Sequence, residues 1–304
     1  MYALWPARRS AACGLAGYRR FMDFGVMIFP TDATPTPVGL GRTVEDLGFE
    51  SLWFPEHSHI PTSRKTPWGG VKGAAPLPDW YWKTLDAFVA LGAVAAVTTK
   101  LKLGTGITLV AQRDPIWLAK EVATLDVISG GRVLFGVGYG WNKEEMASHG
   151  VTYTERRELL REKVLMMKAL WTDEVSEYKG ELLQLEPSWA YPKPVQQPHP
   201  PIIMGGAAAP KTIAHMAEFC DGWMPLATRH DIAGRLEEVR NAVEATGRNV
   251  KDFDITAYSA KADPELIERL IGLEVNRIVF NLPQKSPEDA NSRLTELGQL
   301  IQQF

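Results

Sequence analysis

Glu56-His57 sets two ionisable groups side by side at the end of a short apolar run, Ser51-Leu52-Trp53-Phe54. Imidazole changes charge near neutral pH, and a positioned histidine is the commonest proton donor or acceptor in catalysis. His57 is therefore the candidate acid or base. A histidine that merely braces the loop is the competing reading, and the residues alone leave both open. A second stretch is Ser129-Gly130-Gly131-Arg132-Val133-Leu134-Phe135-Gly136-Val137-Gly138-Tyr139-Gly140-Trp141-Asn142, a tight turn, a strand and then glycines where a helix should begin. Glycines there allow positive φ and let backbone N–H groups approach a ligand. They do not spell the dinucleotide fingerprint G-x-G-x-x-G, because position 141 is tryptophan. Gly205-Gly206 closes another apolar run just before Pro210. There is no H-E-x-x-H, no G-x-S-x-G and no Walker loop. This inventory suits holding a large flat or phosphorylated ligand better than hydrolysis. Trp68, Trp80, Tyr81 and Trp82 share one long loop, where they either wall a pocket or pack the loop down.

These residues need elements to position them, and a strand–helix rhythm supplies them. Strands are predicted at Phe24–Phe29, Ser51–Phe54, Leu101–Thr108, Val133–Val137, Ile202–Gly206, Gly222–Pro225, Phe253–Ala257 and Arg277–Phe280. Helices follow at Pro37–Leu47, Thr84–Val97, Pro115–Ile128, Tyr153–Trp171, from Pro210, at His230–Ala245 and at Pro287–Ile301. Eight such units close a (β/α)8 TIM barrel as one domain over 23–304, with functional residues at the strands' C-terminal ends. The surplus length falls at Ile60–Trp82 and between the fourth and fifth strands. There, Glu177–Leu183 reads as a hairpin turning at Lys179-Gly180, and Pro187–Pro201 as an extended crossing. Residues 1–22 carry four arginines, no acid and no period, and are expected to be a disordered extension. A net charge of −3 gives no basic footprint for nucleic acid, and no apolar run is long enough to span a bilayer. Cys13 and Cys220 stand alone, which fits a reducing cytoplasm and no metal site.

The runs Gly48-Phe49-Glu50-Ser51-Leu52-Trp53, Leu103-Gly104-Thr105-Gly106-Ile107, Leu125-Asp126-Val127-Ile128-Ser129-Gly130-Gly131-Arg132, Leu170-Trp171-Thr172 and Pro201-Ile202-Ile203-Met204-Gly205-Gly206 resemble the bacterial luciferase-like monooxygenase family. So does Gly136–Asn142. The likeness covers the chain from Met22 onward and points to the branch that uses the deazaflavin coenzyme F420. It implies an F420-dependent oxidoreductase passing a hydride between the deazaflavin and a small, fairly apolar organic molecule. His57 would be the proton donor or acceptor, and Glu56 would hydrogen-bond the cofactor ring. A non-proline cis peptide, Gly106–Ile107, would bulge behind the ring, with Tyr139 and Gly140 beside it. Gly205, Gly206, Ala208 and Ala209 would receive the tail phosphate. Leu109 falls where some relatives place a hydrogen-bonding threonine, so that contact is missing. The sugar-phosphate dehydrogenases of this branch carry a catalytic glutamate where this chain has Trp141, so their glucose-6-phosphate chemistry does not transfer. The alternatives are an FMN-dependent two-component monooxygenase using O2 and a flavin-binding relative without turnover. A small-molecule substrate, with room for a homodimer, completes the reading.

Overall fold

The computed structural model of the chain describes residues 22–304, so the extension expected at the N-terminus lies, apart from Met22, outside the described residues. The first strand, β1 (Asp23–Met27), leads into α1 (Pro37–Asp46) and then β2 (Ser51–Phe54). The long loop that follows holds a 3-10 turn at Trp68–Gly70 and one helical turn, α2 (Trp80–Lys83), before α3 (Ala87–Ala95). Next come β3 (Lys102–Thr105), α4 (Pro115–Ser129), β4 (Val133–Val137), a short α5 (Lys143–Ser148) and the long α6 (Arg156–Thr172). A hairpin, β5 (Ser176–Lys179) and β6 (Gln184–Ser188), interrupts the rhythm. It resumes with β7 (Ile202–Gly205), α7 (Pro210–Phe219), β8 (Gly222–Met224), α8 (Ile232–Glu244), β9 (Asp254–Ala260), α9 (Pro264–Gly272), β10 (Arg277–Asn281) and α10 (Pro287–Ile301).

Eight strands close a parallel barrel in the order β1-β10-β9-β8-β7-β4-β3-β2, with the hairpin outside it. The (β/α)8 barrel read from the sequence is the observed fold. Parallel strands buried on both faces need a core on each side. Trp53, Leu134, Ile203, Met224, Tyr258 and Val279 fill the inside. A larger cluster, including Leu52, Phe135, Trp171 and Phe280, seals the barrel against its helices. Seven of the helices start on proline in the first turn (α1, α4, α7, α9, α10) or on a side chain that accepts an orphan N–H, as Asp86, Asp114, Asp231 and Ser286 do. At the barrel floor Arg277, 2% exposed, grips both oxygens of Glu50 at 2.8 and 2.9 Å and reaches Asp254 at 3.0 Å. Burial pushes the Glu50 carboxyl up, but Arg277 and Lys102 outweigh it and hold it at about 2.

Several boundaries differ from expectation. The third strand stops at Thr105 rather than Thr108, and the Gly106–Ile107 peptide that follows is cis. Thr108 then rejoins β4 through an isolated bridge to Val137. The hairpin connection is Gly180–Leu183, longer than the Lys179-Gly180 turn, because the buried Glu162 carboxylate accepts the N–H groups of Glu181, Leu182 and Leu183. The seventh barrel strand runs on to Ala260, past the expected end at Ala257.

Candidate active site

His57 lies just beyond β2, where the barrel opens. Its Nδ1 is 2.8 Å from Glu145 Oε2, and the two side chains are 6% and 0% exposed. A carboxylate at that distance fixes the N–H on Nδ1 and leaves Nε2 without a partner among the described residues. Aromatic rings surround the imidazole: Tyr81 at 5.1 Å and Trp141 at 6.0 Å between centroids, with Trp68 edge-on to Tyr81. Of the loop aromatics, Tyr81 lies against the imidazole and Trp68 against Tyr81, while Trp82 is half exposed.

Glu56 points to a different task. One carboxylate oxygen pairs with Arg113 and the other accepts the Leu109 N–H at 2.8 Å. Burial pushes its carboxyl up, against the pull of the Arg113 guanidinium. Arg113 continues to Glu121 at 2.6 Å and Asp86 at 3.0 Å. Glu56 therefore ties the turn after β3 to the end of β2, and both of its oxygens are already engaged by the protein.

The glycines at the strand ends also have protein neighbours. Cβ atoms on Gly138 and Gly205 would sit 2.7 and 2.6 Å from the Ile107 side chain, which wedges between β4 and β7. These two positions are bare so that the cis turn can pack. Gly206 is the exception: φ is +119°, and a Cβ there would meet open space. The Gly106 carbonyl accepts the Tyr258 hydroxyl at 3.1 Å from across the barrel. Gly140 has φ +73° and lies over the Met146 methyl.

Tyr139 donates to or accepts from His215 Nδ1 at 2.8 Å, and the Arg157 guanidinium lies 5.1 Å from its ring centroid. Burial pushes the Tyr139 phenol up to about 12, so it stays protonated. The Ala208 carbonyl accepts two bonds from Arg235, at 3.1 and 2.6 Å, which pins the segment after β7. Ala209 is the N-cap of α7 and offers no side-chain acceptor, so the first N–H groups of that helix keep their capacity for an anion. The structure thus brings His57, Ile107 and Tyr139 around one mouth, with Gly206 to Ala209 at its β7 side.

Sequence reasoning missed Glu145. Asn142-x-x-Glu145 has capping-box spacing and reads as a purely structural helix start. Here the Asn142 side chain makes no cap bond, and Glu145 turns to His57 instead. Glu145 Oε1, both Asn142 amide atoms, Thr108 Oγ1 and Gln112 Nε2 are buried without a protein partner. Such orphaned atoms in a native fold mark a place for water or ligand.

The family model for luciferase-like monooxygenase matches residues 22–262. An uncharacterised protein of Mycobacterium tuberculosis is 40% identical over 278 residues, 91% of this chain and 98% of its own. The F420-dependent glucose-6-phosphate dehydrogenase of Kineococcus radiotolerans is 32% identical over 219 residues, 70% of this chain and 59% of its own. Among solved structures, a monooxygenase from Streptomyces bottropensis superposes with a TM-score of 0.73 at 20% identity, covering 93% of this chain and 99% of its own. A coenzyme F420-dependent tetrahydromethanopterin reductase from Methanopyrus kandleri gives 0.70 at 19% identity, covering 91% and 97%. These last two likenesses show the fold alone. With the matched span covering most of the barrel, the chain belongs to the luciferase-like monooxygenase family.

Proposed function

We propose that the chain is an F420-dependent oxidoreductase in which His57 gives or takes the proton that accompanies hydride transfer to or from a small organic substrate. The observation that carries this reading is the buried His57–Glu145 pair inside an aromatic-walled mouth. Family membership and the F420-dependent relatives support the choice of cofactor. The residues present fit such a group. Gly206 has open space, the N-terminus of α7 is uncapped by side chain, and Arg157 stands beside Tyr139 without a carboxylate partner among the described residues. A long anionic tail needs those features. Gly206, Ala208 and Ala209 would hold the phosphate, and Tyr139 with the Ile107 turn would flank the ring.

When bound, the deazaflavin supplies two-electron hydride chemistry, and the protein supplies orientation and protons. A carbonyl carbon that gains a hydride leaves an oxygen that needs a proton; the His57 imidazolium, its Nδ1–H held by Glu145, can deliver it from Nε2 and is left as the neutral Nδ1–H tautomer. In the reverse direction the same nitrogen removes the proton of an alcohol. Glu145 fixes the tautomer, and Tyr81 and Trp141 exclude water from the imidazole. The test is expression in an F420-producing host, then absorbance and mass of the co-purified cofactor in wild type and His57→Ala. The proposal expects F420 in both, with turnover falling by about two to four orders of magnitude in the variant. Loss of cofactor with unchanged turnover per bound cofactor would make His57 a mere brace.

A further inference from the structure

Beside the mouth, a cavity of about 380 Å³ is lined by Lys65, Trp141, Lys143, Glu144 and Tyr153, together with neighbours on the long loop. Its cations are stacked on its aromatic walls. The Arg64 guanidinium lies 5.6 Å from the Trp141 ring centroid, Lys143 Nζ 4.8 Å from Tyr153, and the Arg156 guanidinium 3.5 Å from the same ring. Among the described residues, none of Arg64, Lys65, Lys143 and Arg156 has a carboxylate partner. Arg156 Nε is buried with no hydrogen-bond acceptor at all. The one acid in the lining, Glu144, uses Oε1 on the N–H groups of Lys65 and Thr66, at 2.9 and 3.2 Å. The lining itself sets Lys65 and Lys143 against one carboxylate, and Arg64 and Arg156 stand against its Trp141 and Tyr153 rings, so positive charge is in excess around it.

We infer that this cavity is a subsite for an anionic group, a carboxylate or phosphate, carried by the substrate. The inference rests on the active-site reading above and narrows its substrate from a fairly apolar molecule to one with a flat apolar body and an anionic end. Trp141 is the shared wall: its ring stands 6.0 Å from His57 and also lines the cavity. A molecule whose reacting carbon sits at His57 therefore finds the cations one side chain away. The lining comes from the loop after β2 and from the β4–α5–α6 stretch, and no residue after β7 contributes. In the closed barrel β7 lies on the far side of β4 from β2 and β3, and the Gly206–Ala209 segment does not line the cavity. Guanidinium and ammonium groups bind carboxylate and phosphate through charge-assisted hydrogen bonds, which salt weakens where the pair is exposed.

The full chain is titrated with phenyl phosphate, benzoate and neutral benzyl alcohol, following tryptophan fluorescence and calorimetry. Each titration is run on the protein alone, with F420, and with the tail-less deazaflavin riboside. The expected result is that both anions bind, more weakly at high salt, and that binding survives saturation with F420. The double variant Lys143→Ala, Arg156→Ala should lose at least tenfold in anion affinity and leave benzyl alcohol unchanged, while Lys143→Arg keeps the anion. Equal anion affinity in the double variant overturns the inference. Displacement of the anions by F420 but not by the riboside also overturns it, because the cavity then holds the cofactor's tail. Failure of F420 to bind sinks the cofactor reading instead, and the titrations on the protein alone still decide the subsite.

Discussion

Replacing Glu145 by glutamine or leucine removes the charge that His57 Nδ1 meets at 2.8 Å. A hydrogen bond to an ionised group contributes about 1.5–3 kcal/mol, and exposures of 6% and 0% leave little solvent to screen this one. That free energy corresponds to about a tenfold to hundredfold bias toward the Nδ1–H tautomer. Nitrogen-15 NMR of the imidazole reads the tautomer directly and needs no substrate. Wild type should show the proton on Nδ1, and Glu145→Leu should move it to Nε2 or leave a mixture. Turnover per bound cofactor should fall by about the same tenfold to hundredfold, less than for His57→Ala. Stability should fall as well. Glu145 Oε1 has no protein partner, so the native carboxylate is itself incompletely satisfied, and the variant leaves only Nδ1 unpaired, at about 1–3 kcal/mol. An unchanged Nδ1–H signature with unchanged turnover in the leucine variant would refute the positioning role.

Other consequences follow from the same geometry. Gly138→Ala should destabilise the chain by about 1–3 kcal/mol in urea melts, because Ile107 already presses on Gly205 and cannot retreat; unchanged stability would show the turn is loosely packed. Tyr139→Phe strands His215 and should lower stability by about 1–3 kcal/mol and loosen cofactor binding while keeping turnover per bound cofactor. The Glu50 carboxyl is depressed from its ordinary 4.5 to about 2, so its contribution is present above pH 4.5 and disappears as the pH falls through 2. Acid unfolding should therefore show about 3 kcal/mol from this group across that window, absent in Glu50→Gln. An identical acid slope in the variant would contradict the assignment.

The barrel was legible because each parallel strand is a short apolar run with a helix behind it, a local pattern that needs no knowledge of partners. His57 was legible for the same reason, as an ionisable group at a strand end. What escaped was set by contacts across the chain. Glu145 stands 88 residues from His57 and carries the spacing of an ordinary helix cap. Arg113, which engages one oxygen of Glu56, stands 57 residues on from it. The strand-end glycines are legible as close approaches, but the sequence does not say what approaches. At Gly138 and Gly205 it is Ile107, from the turn after β3, and Gly206 is left open. The cavity's Lys65 and Lys143, and the Arg64 and Arg156 against its rings, likewise lie in three separate segments.

Cofactor choice is the claim on which the rest depends, and a fluorescence titration of the full chain with F420 and with FMN measures it. The account predicts F420 binding at micromolar affinity or tighter and FMN binding at least tenfold weaker, a gap of roughly 1.4 kcal/mol. Equal or tighter FMN binding would contradict it and make the chain an FMN-dependent monooxygenase.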